Sequence, residues 1–231
     1  MARSAADLQL LSEVFRIIDD EPLTAKPLAL EQCSFGFVKT HVWPKATPAV
    51  QEVWETAKRI LVGSGAKVEE VELPEDFANL GTWHRNILHM EGQSSFLGDY
   101  LQSADQLDPW VKKHVENDTG TTRREQLDSY DNIARLRPVM DSIASKYTVL
   151  ITPSVTGEAP ILEEPLRFTG DASFNLMWTV LHTPVLNVPA FSGPNGLPIG
   201  LSLVTGRYRD QHILKCGKTL AAIFSGRVDG M

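Results

Sequence analysis

The chain has 231 residues, 42% apolar and 22% charged, with a formal net charge of −7. That length can bury a substantial core, and the composition is that of an ordinary globular protein. An acidic balance with no basic stripe argues against nucleic acid and against an anionic membrane surface as partners.

The N-terminal "MARSAADLQLL" lacks the long apolar core of a signal peptide and is too acidic for a transit peptide, which predicts a cytoplasmic protein. Ser4 caps a predicted amphipathic helix with Asp7 at its third position and Leu8, Leu11, Phe15 and Ile18 at helical spacing. "CSFGFVKT", residues 33–40, reads as a buried strand. Thr47 and Pro48 then start a helix whose buried stripe is Val50, Val53, Trp54, Ala57 and Leu61. Gly63 and Gly65 end it, and "KVEEVELP" alternates as a half-exposed strand does. Together these predict a βαβ unit with a parallel pair.

From Asp76 to about Tyr147 the signal is helical throughout, an insertion into the α/β pattern. "TVLITPSV", residues 148–155, is an apolar strand, followed by a polar loop to Arg167 and a helix bearing Phe174, Met177, Trp178 and Leu181 on one face. "TPVLNVPAFSGPNGLPIGLSLV", residues 183–204, predicts two strands, with Asn195-Gly196 supplying the hairpin turn and the prolines stopping strand pairing. "QHILKCGKTLAAIF" is a closing helix. Cys33 and Cys216 stand far apart with no CxxC, as buried small hydrophobes in a reducing compartment do. No repeat, linker or long apolar run divides the chain or spans a membrane, so residues 1–231 read as a single α/β domain with a helical insertion at about 76–147.

Thr152-Pro153, Ala159-Pro160, Phe174-Asn175, Trp178-Thr179, the prolines at 184 and 189, and Gly196-Leu197-Pro198 with Gly200 follow one another in a distinctive order. In order and spacing they resemble the C-terminal part of the amidase signature family. Residues 2–15 and 34–74 resemble the preceding helix and strand–helix–strand unit of that family with less specific motifs. The resemblance implies a mixed, mostly parallel sheet flanked by helices, corresponding to the C-terminal half of the amidase signature fold. It also implies amide hydrolysis by a Lys–Ser–Ser triad on a Gly/Ser-rich signature, with a neutral lysine, a bridging serine and an oxyanion hole. No such signature occurs in the 231 residues. The expectation is an amidase-lineage protein not competent alone for that hydrolysis, either a fragment or half of a split enzyme. The alternatives are an enzyme with repurposed acid–base chemistry on a small molecule and a non-catalytic binding or interaction module. A homodimer, or a partner polypeptide covering an exposed sheet edge, is expected, with the first helix in the interface.

Substitutes for the triad are few. Ser94-Ser95 lies in a helical context, and Ser142 and Lys146 sit on an ordinary charged helix. His84 and His89 lie about 140° apart around a helix, the wrong geometry for a metal pair. His84 and Glu91 share a face and could act as acid and base. His182 falls where the family usually places a small or apolar residue, beside a site. Asp171, with Arg167, precedes the Phe174 helix in the kind of loop where open α/β sheets place ligands. His182, His84, Glu91 and Asp171 are thus the catalytic candidates. Thr152, Arg167, Phe174 and Trp178 are the substrate-binding candidates, although a helical stripe alone explains the two aromatics. No phosphate loop, zinc spacing or nucleotide fingerprint is present, so neither cofactor nor metal is expected.

Overall fold

The computed structural model describes residues 2, 4–19, 28–160 and 171–226. Ser4 caps helix α1 (Ala5–Val14), its Oγ accepting from the Asp7 N–H at 3.1 Å. The apolar face predicted for α1 is not covered: only Ser12 is buried, while Leu11, Val14, Phe15 and Ile18 are exposed. Polar contacts hold this region to the last helix instead. Asp19 accepts from the Gln211 and His212 N–H groups at 2.7 and 2.8 Å, and Gln211 donates to Ser12 Oγ at 2.7 Å.

Strand β1 (Ser34–Val38), helix α2 (Pro48–Gly63) and strand β2 (Lys67–Val71) form the predicted parallel βαβ unit. All five stripe residues of α2 are buried. Thr47 occupies the N-cap position without a side-chain cap bond, and its N–H donates to the Thr156 carbonyl at 2.9 Å. Next, the helical stretch divides into α3 (Leu80–Ser95), α4 (Leu97–Ser103), α5 (Pro109–Glu116) and α6 (Arg123–Ala144). A capping box starts α6: Thr122 Oγ1 accepts from Glu125 N–H at 3.2 Å, and Glu125 accepts from Thr122 N–H at 2.8 Å.

Strand β3 (Val149–Pro153), helix α7 (Ser173–Leu181), strands β4 (Val185–Ser192) and β5 (Pro198–Val204) and helix α8 (Asp210–Phe224) complete the fold. The mixed five-stranded sheet runs β2-β1-β3-β5-β4, with β2, β1 and β3 parallel and β3-β5-β4 antiparallel. Two details of the hairpin differ from the sequence-based expectation. The Gly196 N–H donates to the Gly193 carbonyl at 3.0 Å, so Pro194-Asn195 is the centre of the turn and Gly196, at φ +77°, follows it in the left-handed region. Proline fits the first central position, whereas a turn centred on Asn195-Gly196 would need positive φ at Asn195. Pro189 does not stop pairing either. Because β4 is an edge strand, its missing N–H costs no ladder bond, and pairing resumes past an irregularity between Pro189 and Phe191.

Alternation along the strands divides the core into two layers. Phe35, Phe37, Val149 and Ile151 face α2 and α8 with Trp54, Leu61, Cys216 and Leu220. Val38, Leu150 and Val204 face α3, α6 and α7 with Leu80, Ile133, Met140 and Trp178. Cys33 and Cys216 are free and buried, and burial pushes the Cys216 thiol up to about 12. Among the described residues no helix is long and apolar enough to cross a membrane.

Candidate functional site

Because β1, β2 and β3 are parallel, their carboxyl ends share one rim of the sheet, the position at which open α/β sheets receive ligands. The chain leaving β3 there borders a pocket of about 620 Å³ lined by Ser154, Glu158, Asp171, Asn187, Pro189 and Pro198, among others. Ser154 Oγ lies 2.7 Å from Asn187 Oδ1 and 2.9 Å from Ser202 Oγ. A serine hydroxyl has one proton, which goes to Asn187, so Ser202 is the donor to Ser154. With its Oδ1 engaged, the Asn187 side-chain amide has two N–H donors left to offer. Asn175 donates to the Ser154 carbonyl at 3.0 Å and ties α7 to the same wall. Gly200, diagonal to Asn187 on β5, leaves it this position, since a Cβ at 200 would collide with Asn187 Oδ1. Glu158 accepts from the N–H groups of Asn195 and Leu197 at 3.1 and 2.9 Å, fastening the pocket loop to the hairpin.

Asp171 lies in this pocket as a fastener. It accepts from the Ser173 N–H at 2.8 Å and pairs with Lys45 at 3.1 Å. Its hydrogen bonding to Ser173, and then Lys45, holds its carboxyl below the usual carboxylate range, which suits a fixed anion better than a proton donor. Thr152 and Phe174 are buried in the core, with Thr152 Oγ1 unpartnered among the described residues. Trp178 is likewise a core residue, although it also borders a surface groove with His182 and Tyr208. Arg167 lies outside the described residues.

The other three catalytic candidates meet elsewhere. His84 and Glu91 from α3 and His182 at the end of α7 line one groove of about 230 Å³, together with Tyr130 and Arg137 from α6. Asp171 is not among them. His182 sits at φ +59°, a left-handed conformation uncommon outside glycine. Arg137 donates twice to the Val180 carbonyl, at 3.0 and 3.1 Å, and Nη2 also reaches His182 Nε2 at 3.0 Å. Arginine only donates, so Nε2 accepts and the proton of the neutral imidazole resides on Nδ1. Burial first, then Arg137 and Arg207, push the His182 pKa down; burial and then Arg85 do the same to His84. Tyr130 donates to Glu91, and its own pKa rises through burial and then this contact. His89 faces away, its ring stacked on His114 with centroids 4.4 Å apart. Ser94 and Ser95 lie on the exposed surface of α3.

Sequence reasoning missed Ser154, Asn187, Glu158, Tyr130 and Arg137. A signal existed for Asn187 and Ser202, polar residues set into otherwise apolar strands and paired in register. None existed for Arg137, which in sequence resembles any charged outer-face residue.

The family model described as Amidase matches residues 1–214. The chain is 25% identical over 232 aligned positions to a subunit of human mitochondrial glutamyl-tRNA(Gln) amidotransferase, covering 86% of this chain and 44% of that protein. It is 23% identical to the like-named amidotransferase subunit from Novosphingobium aromaticivorans, covering 98% of this chain and 54% of that one. Among solved structures, one described as an amidase aligns with a TM-score of 0.82 at 20% identity over 96% of this chain and 51% of its own. A fatty acid amide hydrolase aligns with a TM-score of 0.72 at 18% identity, over 97% of this chain and 47% of its own. These structural likenesses show the fold. The chain spans about half the length of the curated relatives it matches.

Proposed function

The chain belongs to the Amidase family, whose model matches residues 1–214, and from that membership we propose that it supplies the substrate-holding half of a hydrolase of carboxamide C–N bonds. The observation that carries this reading is the pocket at the carboxyl end of β3, with Asn187 held by Ser154 and its amide donors without a partner among the described residues. In this proposal those donors hold a carbonyl oxygen of a small amide substrate. The Lys45–Asp171 pair fixes the entry to α7 beside it. Amide hydrolysis needs an activated nucleophile and an oxyanion hole. The proposal assigns both to the part of the family fold that these 231 residues leave uncovered. Support comes from the exposed apolar side chains on and just after α1, which suit cover by another part of a larger fold.

An aryl amide hydrolysis assay of the chain alone, and with an amidase N-terminal half supplied in trans, tests the reading. Turnover is expected only with both halves, and Asn187→Leu then raises KM more than it lowers kcat. Turnover by the chain alone that survives replacement of each serine by alanine would sink it.

A further inference from the structure

We propose that the groove between α3, α6 and α7 binds a small aliphatic amino-carboxylate, with Arg137, positioned by His182, taking the carboxylate and Glu91 the ammonium. This groove is distinct from the pocket at β3 and has no part in the hydrolysis proposed above.

The charges in the groove are opposite and unspent. Arg137 engages the Val180 carbonyl and His182 through Nε and Nη2, and Nη1 takes part in neither contact. Among the described residues no carboxylate forms an ion pair with Arg137, and no cation forms one with Glu91. Glu91 is held instead by the Tyr130 hydroxyl. Both residues border one small cavity without neutralising each other, so a ligand carrying both charges complements it better than one carrying either. His182 adds directionality: its Nε2 accepts from Arg137 Nη2 and so helps to hold the guanidinium in place for the carboxylate.

The rest of the wall is His84, Thr179 and the apolar Ile87, Leu88, Ile133 and Val180, which suit an aliphatic side chain. At about 230 Å³ the cavity is below the roughly 300–1,000 Å³ of drug-sized sites.

Calorimetric titration of the whole chain with L-leucine tests the proposal, against isopentylamine and 4-methylpentanoate, which each carry one of its charges. Leucine is expected to bind at least about tenfold more tightly than either analogue. Glu91→Gln should abolish the preference for leucine over 4-methylpentanoate. His182→Gly, which suits the local φ and should leave the melting temperature unreduced, should weaken leucine about tenfold. No binding up to about 10 mM leucine, equal binding of the single-charge analogues, or unchanged affinity in both variants would overturn it. No outcome depends on hydrolytic activity, so failure here leaves the amidase reading untouched.

Discussion

Asn187 and Gly200 illustrate the residue scale, because neither works without the other. Asn187 sits on an edge strand, where a polar side chain could turn to solvent, yet it holds Ser154 at 2.7 Å. It can do so because Gly200, diagonal to it on β5, presents no Cβ. Gly200→Ala should force Asn187 aside and leave the Ser154 hydroxyl without its acceptor, costing about 1–3 kcal/mol. Urea unfolding checks this, and adding Asn187→Ala should recover part of the loss. Additive effects in that double-mutant cycle would show that the two residues do not share a constraint. The sequence displayed Asn187 as an odd polar residue within an apolar run. Its partner depended on register, which no local pattern carries.

At the scale of elements, the strand–helix–strand unit was legible because capping position, proline placement, stripe and glycine stop all agree within residues 33–74. The hairpin was legible as an element but not in its turn, since Asn195-Gly196 and Pro194-Asn195 are both good turn centres and Glu158 helps to decide between them. Its carboxylate accepts from the N–H groups of Asn195 and Leu197, which orders the loop from outside the hairpin. Glu158→Ala should leave the fold intact while freeing the loop, at a cost of about 1 kcal/mol because the contact is exposed to water. Amide exchange by NMR should then be faster at Leu197 with the β3 amides unchanged. Equal exchange at Leu197 in both proteins would mean that Pro194 and Gly196 set the turn without Glu158.

On the scale of the whole molecule, the layers followed from apolar periodicity, whereas the meeting of α3, α6 and α7 did not. His84 and Glu91 lie far along the chain from Arg137 and His182, and only the folded arrangement puts them around one cavity. The same arrangement buries or crowds most of the histidines. The pKa values of His41, His84, His89, His182 and His212 are all pushed down, burial being the largest cause in each. Protons therefore bind the unfolded chain first. The stability these groups contribute is complete above their ordinary value of about 6.5 and is lost as pH falls through the lower folded values. The carboxylates shifted downward, Asp171 and Glu70 among them, titrate only further into acid. The urea midpoint should accordingly be level from about pH 8 to about pH 7, then fall between about pH 6.5 and about pH 5, ahead of the carboxylates. His212, whose Nε2 donates to the Thr148 carbonyl at 2.7 Å, is the most enclosed of the five. His212→Gln should keep a donor there and make the acid limb shallower. A midpoint that stays level to about pH 5 would show that the folded protein carries these imidazoles protonated as readily as the unfolded chain does.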